Sequence, residues 1–136
     1  MMLDAMLLAL ERSKASGVMT GSITHILRRE PIHGLNKSWT QAYLCVKPKG
    51  SIVGSCRIWT DYLLIEDNIS PIPVKELGMS QEEISDLLRG DIGYLYLLSN
   101  PSRFPRSLDI GSNTRDLSWT DAAWIRAIAA SEGVVL

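Results

Sequence analysis

Nothing in these 136 residues approaches the run of roughly 20 apolar residues that crosses a bilayer, and the amino terminus shows no basic segment followed by a cleavage site. A cytoplasmic protein with no membrane partner is therefore expected. Cysteine is scarce: Cys45 and Cys56 are the only two, on opposite arms of a predicted hairpin, where a cross-strand neighbourhood is conceivable. In a reducing compartment they read as two small buried or half-buried thiols. Neither has the paired spacing of a zinc site, and His25 and His33 do not supply one, so neither a structural metal nor a cofactor is expected. The chain also lacks a Ser/His/Asp ordering, a glycine-rich phosphate loop, an internal repeat and any low-complexity tract. A hydrophobic share of 46% and a charged share of 21% leave one soluble domain over residues 1–136, long enough to bury its own core.

The net charge of −1 argues against an indiscriminate polyanion binder, but the charges are unevenly spread. Residues 1–60 hold eight Lys/Arg against three acids, and the remainder holds six against twelve. Such asymmetry fits a focused anion-binding surface on the leading half, against the plainer reading of solvated charges on a sheet face.

Leu7, Leu8 and Leu10 form an apolar run too short for anything but a buried strand. Glu11–Thr20 suits a short amphipathic helix that frays at Ser16-Gly17, and Gly21 ends it. A second strand then carries β-branched Ile23, Thr24 and Ile26 and ends on Arg28 and Arg29. Pro31 and Gly34 mark a loop that brings His33, Asn36 and Lys37 towards that strand. Gln41–Lys47 and Ser51–Thr60 alternate as the arms of a hairpin, and Gly54 inside the second arm marks a bend, a bulge or a close approach. Asp61 to Gly78, broken by Pro71 and Pro73, reads as irregular packing over one end of the fold. Ser80 and Glu83 form a capping box, Met79 with Ile84 a hydrophobic staple, and Gly90 a helix stop. Ile92–Ser99 and Phe104–Ile110 read as strands joined by a turn at Asn100-Pro101-Ser102, with Pro105 pointing to an edge. Ser118 is read as the cap of a final helix running towards Ala130.

Met6 to Arg29 aligns without a gap on the opening of the ASCH domain family, whose members begin with an apolar strand, a short helix and a Gly-x-Lys-x-x-Glu-x-Arg-type motif; Gly21 and Arg28 match its ends. Lys49-Gly50-Ser51-Ile52-Val53-Gly54 resembles the family's Gly-x-Ile-Val-Gly hairpin, and Gly78 to Gly90 resembles its Gly-x-Ser-x-Glu-Glu helix. Tyr94–Leu97 and Phe104–Leu108 resemble its closing strands, so the likeness spans about residues 6–109, with a helical extension over about 114–132. It implies an α+β fold: a small PUA-like mixed β-barrel of five to six strands with two to three flanking helices.

PUA-like barrels bind RNA, DNA or single nucleotides in a cleft beside the second strand, and the resemblance implies that cleft here, with RNA or a nucleotide as the partner. The candidate lining is Ser22, Thr24, Arg28 and Arg29 from the motif with Tyr43, Lys47 and Lys49 from the hairpin. Arginine donates two bonds to phosphate through its planar fork, and an exposed tyrosine offers a face for base stacking. Alternation puts Ser22, Thr24, Ile26 and Arg28 on one face and Ile23, His25, Leu27 and Arg29 on the other, and the face of Arg28 is favoured, leaving His25 structural. Some members, such as the bacterial N4-acetylcytidine amidohydrolases, hold a lysine and a Thr or Glu where this chain has Ile23 and Ile26. Isoleucine takes no proton, so a hydrolase acting on RNA or a modified nucleoside would need Lys47, Glu66 or His25 as a substitute. A third reading is a protein-interaction or inhibitor module, in which Trp39, Trp59, Trp119 and Trp124 and the acidic second half meet a partner.

Overall fold

The computed structural model describes residues 4–32, 39–47, 50–110 and 117–134. The apolar run near the amino terminus becomes strand β1 (Ala5–Leu10), buried on both faces along all but its last residue. It can be apolar on both sides because it is central, paired in parallel with β3 (Trp39–Val46) and antiparallel with β6 (Leu117–Thr120). Helix α1 (Arg12–Thr20) follows, running through Gly17 without a break and burying Ala15 and Val18. It stops at Gly21, whose φ of 85° suits a residue without a Cβ and whose N–H donates to the Val18 carbonyl.

Strand β2 is shorter than the sequence pattern suggests, spanning only His25–Arg28. Ile23 and Thr24 direct their backbone N–H groups to the carbonyls of Gly17 and Glu76 instead of a strand partner. Conversely, β4 (Ser51–Ile65) continues well past Thr60, because Tyr62–Ile65 stay paired with β5 (Gly93–Asp109) beyond a register shift. The expected turn at Asn100-Pro101-Ser102 does not reverse the chain. Asn100 takes a φ of 51°, yet the ladder resumes at once with Ser55 opposite Ser102, so one long strand replaces two. Pro105 is tolerated there because β2 pairs with β5 only at residues 94–97, leaving the later half of β5 with β4 alone.

Among the described residues, six strands form one mixed sheet in the order β2-β5-β4-β3-β1-β6, curled into an open small barrel with β2 and β6 at its edges. With its helices this is the α+β barrel expected from the sequence. A 3₁₀ turn (Val74–Leu77) leads into α2 (Gln81–Leu88), which carries the capping box: the Ser80 hydroxyl accepts from the Glu83 N–H, and the Glu83 carboxylate accepts from the Ser80 N–H, both at 3.1 Å. Ser118 lies within β6, before the helix begins; the N-cap of α3 (Ala122–Ser131) is Asp121, whose carboxylate accepts from the Ala123 N–H. Asp4 accepts from the Ala122 N–H, tying α3 to the entry of β1.

Alternation divides the core. Ala5, Leu7, Tyr43, Cys45, Ile52 and Phe104 pack under α3 through Ile125 and Ala129. Met6, Leu8, Leu44, Cys56, Ile58 and Tyr96 fill the opposite face with Val18 of α1. A third cluster, Ile65, Leu77, Ile84, Leu88 and Leu95, seats α2. Cys45 and Cys56 therefore lie in different clusters rather than as cross-strand neighbours, both buried and unbridged, and burial pushes the Cys56 thiol up to about 12.

Candidate functional site

A cleft of about 400 Å³ lies between the edge strand β2 and the Leu8–Leu10 end of β1. Leu8 and Leu10 of β1 and Lys14 of α1 form one side; Leu77, Met79 and Leu87 form the other. Glu83 and Asp86 add acids at that side, Glu83 being already engaged in the helix cap. Because β2 is an edge strand, both of its faces reach the cleft: Ile26 and Arg28 from one, His25 and Leu27 from the other. The expectation that only the face of Arg28 contributes is thus corrected, and His25 joins the lining.

Arg28 is half-buried, with its Nε away from solvent. Its register partner on β5 is Tyr94, so the two side chains leave the sheet on the same face. Tyr62 meets Tyr94 edge-on with ring centroids 4.9 Å apart and Tyr96 at 5.9 Å, and is itself 42% exposed. Tyr96 is buried, and its hydroxyl accepts the Ile32 N–H at 2.7 Å. Burial raises the Tyr96 phenol, an effect that this hydrogen bond and the Arg28 charge partly offset. A second hollow of about 650 Å³ adjoins the cleft, lined by Arg28, Arg29, Tyr94 and the acids Glu30 and Asp91.

Beside Arg28 runs a short chain of polar groups. The Thr24 hydroxyl lies 3.1 Å from the Glu76 carboxylate and 2.8 Å from His25 Nδ1. A carboxylate only accepts, so the hydroxyl proton goes to Glu76, and the hydroxyl oxygen accepts from Nδ1–H of His25. This assigns the tautomer by hydrogen-bond logic and leaves the Nε2 lone pair of a neutral imidazole available. Burial lowers the His25 pKa, against a smaller raising effect of Glu76, so the ring is neutral at pH 7.

Of the residues chosen from sequence, Arg28 lines both hollows and Arg29 the second, where it also faces Asp91 at 3.6 Å. Thr24 stands behind His25 rather than in the cleft wall, and the Ser22 hydroxyl bonds the Gly17 carbonyl locally. Tyr43 is not brought to this site. It is 4% exposed on the opposite face of the sheet, packed under α3 against Phe104, with its phenol raised by burial despite the nearby Arg126. Lys47 is exposed beyond the end of β3, outside the cleft lining, and Lys49, with His33, Asn36 and Lys37, lies outside the described residues. Glu66, the other candidate acid, sits in a bridge with Ile69 at the far end of β4. Sequence reasoning missed Lys14, Tyr62, Tyr94 and Glu76. Alternation does put Tyr94 and Tyr96 on one face, but only the pairing of β5 with β2 puts that face beside Arg28. Among the described residues, no three His, Cys, Asp or Glu side chains converge in a way that would hold a metal.

This architecture is that of an ASCH-like fold. The chain is similar to crystal structures of an ASCH protein from Zymomonas mobilis: TM-score 0.75 at 14% identity for the unmodified protein, covering 95% of this chain and 96% of that one. A serine-to-alanine mutant of it gives 0.76 at 16% identity, with 97% of each chain covered. A tyrosine-to-phenylalanine mutant gives 0.75 at 14%, covering 93% of this chain and 97% of that one. At such identities the likeness establishes the fold. No protein-family model and no curated protein sequence matches the chain.

Proposed function

We propose that this protein binds RNA or a nucleotide beside β2, with the phosphate held by Arg28 and the base laid against Tyr94 in the hollow that adjoins the cleft. The observation that carries the reading is a half-buried guanidinium, Arg28, that lines both the cleft and the hollow adjoining it, with half-buried Tyr94 beside it on the same face in that hollow. The arginine fork suits phosphate oxygens, aromatic rings suit any base, and Lys14 adds a second positive charge within reach. The expected result for Arg28→Ala is a loss of about 10- to 100-fold in affinity for a short single-stranded RNA, since hydrogen bonds to charged groups contribute about 1.5–3 kcal/mol. The slope of log affinity against log salt should flatten by about one phosphate contact. Absence of binding at low salt, or an Arg28→Ala affinity equal to wild type, sinks the proposal.

A second reading, hydrolysis of RNA or of a modified nucleoside, is favoured by the chain His25–Thr24–Glu76. Ile23 and Ile26 line the cleft with aliphatic carbon, so any proton acceptor must come from elsewhere, and Nε2 of His25 is suited to it. It would take the proton of an attacking water or of a 2′-hydroxyl, while Glu76, acting through Thr24, stabilises the imidazolium that forms. Incubation with single-stranded RNA and with N4-acetylcytidine tests this: turnover should fall by about 100-fold or more in His25→Ala. Wild-type protein that leaves both compounds intact removes it.

A further inference from the structure

A nucleotide seated in the hollow beside Tyr94 leaves the cleft itself unfilled. Leu27, Arg28 and Leu87 line both cavities, so the two share a wall and the guanidinium belongs to each. The rest of the cleft is mostly aliphatic carbon, from Leu8, Leu10, Ile23, Ile26, Leu77 and Met79, and its volume of about 400 Å³ is that of a small-molecule site. One part of this lining is held in place by two glycines. A Cβ on either Gly17 or Gly78 would lie 2.5 Å from Ile23 Cδ1, so the Ile23 side chain has its position only because both residues lack one. The charges of the cleft are sorted by side. Glu83, Asp86 and Leu87 share one face of α2, which puts two exposed carboxylates within about a helical turn of the wall common to both cavities. Lys14 of α1 supplies the opposite charge from the other side, and the neutral His25 adds none. Glu83 already accepts the Ser80 N–H of the helix cap, so Asp86 is the acid offered to a ligand.

We infer that the cleft takes the aminoacyl part of an aminoacyl nucleotide, an apolar amino acid joined through its carboxyl group to the phosphate that Arg28 holds. This rests on the reading above, which supplies the places of phosphate and base, and adds the class of ligand. A branched aliphatic side chain lies against the aliphatic lining, where its removal from water is favourable. The α-ammonium, a few bonds from the phosphate, meets Asp86 on α2, while the phosphate and acyl oxygens stay with Arg28 and Lys14. A plain fatty acyl chain suits the cleft less well, because it places hydrocarbon beside two carboxylates and gives them no counter-charge. A nucleotide without any acyl group leaves the aliphatic lining facing water.

The test titrates wild type, Asp86→Asn and Ile26→Thr by calorimetry with stable phosphate esters of adenosine monophosphate, made from methanol, isohexanol, alaninol and leucinol. All four carry the same phosphate charge, and isohexanol is leucinol without its amino group. Wild type should bind the isohexyl ester about tenfold more tightly than the methyl ester, the effect of burying the branched chain. The leucinol ester should gain about a further threefold from its ammonium, and the alaninol ester should fall about tenfold below it. Asp86→Asn should erase the difference between the leucinol and isohexyl esters and leave the methyl ester unchanged. Ile26→Thr should narrow the gap between the isohexyl and methyl esters by about threefold, again with the methyl ester unchanged. The inference is overturned if neither long ester binds more tightly than the methyl ester, or if Ile26→Thr folds and leaves that gap as it was. It is also overturned if the isohexyl ester binds wild type as tightly as the leucinol ester, or if Asp86→Asn leaves their ratio intact; either result makes the cleft a site for a plain acyl chain. Wild type that binds a short single-stranded RNA but shows no gain along the ester series removes this inference alone, whereas wild type that binds neither RNA nor any ester removes the nucleotide reading beneath it. Should Ile26→Thr fail to fold, the ester series on wild type and Asp86→Asn decides.

Discussion

Gly54→Val should destabilise the fold by about 3 kcal/mol, towards the upper end for an overpacked core, read as a drop in the urea midpoint at unchanged slope. The reason is local and steric. A Cβ built at position 54 would sit 2.5 Å from the Ser102 carbonyl oxygen and 2.6 Å from the Met19 sulfur. Met19 is a flexible side chain and can withdraw. The Ser102 oxygen is backbone, in the stretch of β5 paired with β4, and can move only by distorting the ladder through Ser55–Ser102. Register shifts flank Gly54 in the β4–β5 ladder. Gly54→Ala should follow the same direction with a smaller drop. A Val variant with the wild-type midpoint would show that the approach is looser than described.

Ile84→Ala is the second large effect, expected at about 2–5 kcal/mol in the same assay. Ile84 is fully buried in the cluster that seats α2 against Ile65, Leu77, Leu88 and Leu95, and truncation leaves a hole that this rigid cluster closes poorly. By comparison, the Ser80 cap at the start of the same helix contributes about 1 kcal/mol. The variant carries a functional consequence as well, since α2 and the turn before it supply Met79, Leu87 and Asp86 to the cleft. Ligand affinity should therefore fall along with stability. A stable Ile84→Ala protein with an intact cleft would mean that α2 is held by its termini rather than by its buried stripe.

How much of this was legible depends on the range over which each signal acts. The α2 helix was, because its capping box, staple and apolar stripe all lie within a dozen residues. The β3–β4 hairpin and the buried β1 were legible for the same reason. Features set by distant partners were not. Asn100-Pro101-Ser102 has the composition of a turn, yet β4 opposite holds it in a strand; Ser118 has the chemistry of a cap, yet β1 recruits it into β6. The site shows the same division. Arg28 could be placed through its motif. Alternation revealed that β2 and β3 each have two faces, but not that α3 covers the one bearing Tyr43, nor that β5 delivers Tyr94 beside Arg28. His25 was set aside on the premise that only one face of a strand meets a pocket, and that premise fails at a sheet edge.

The position of β1 between β3 and β6 reaches beyond the finished structure. Its parallel partner needs a long excursion through α1 and β2, and its antiparallel partner arrives more than a hundred residues later. A chain emerging from the ribosome thus holds its most apolar segment, Met6 to Leu10, with one flank open until Thr120 is free. Contacts so distant in sequence slow the search for the native topology, and an unpaired apolar strand is the kind of surface that nascent-chain chaperones capture.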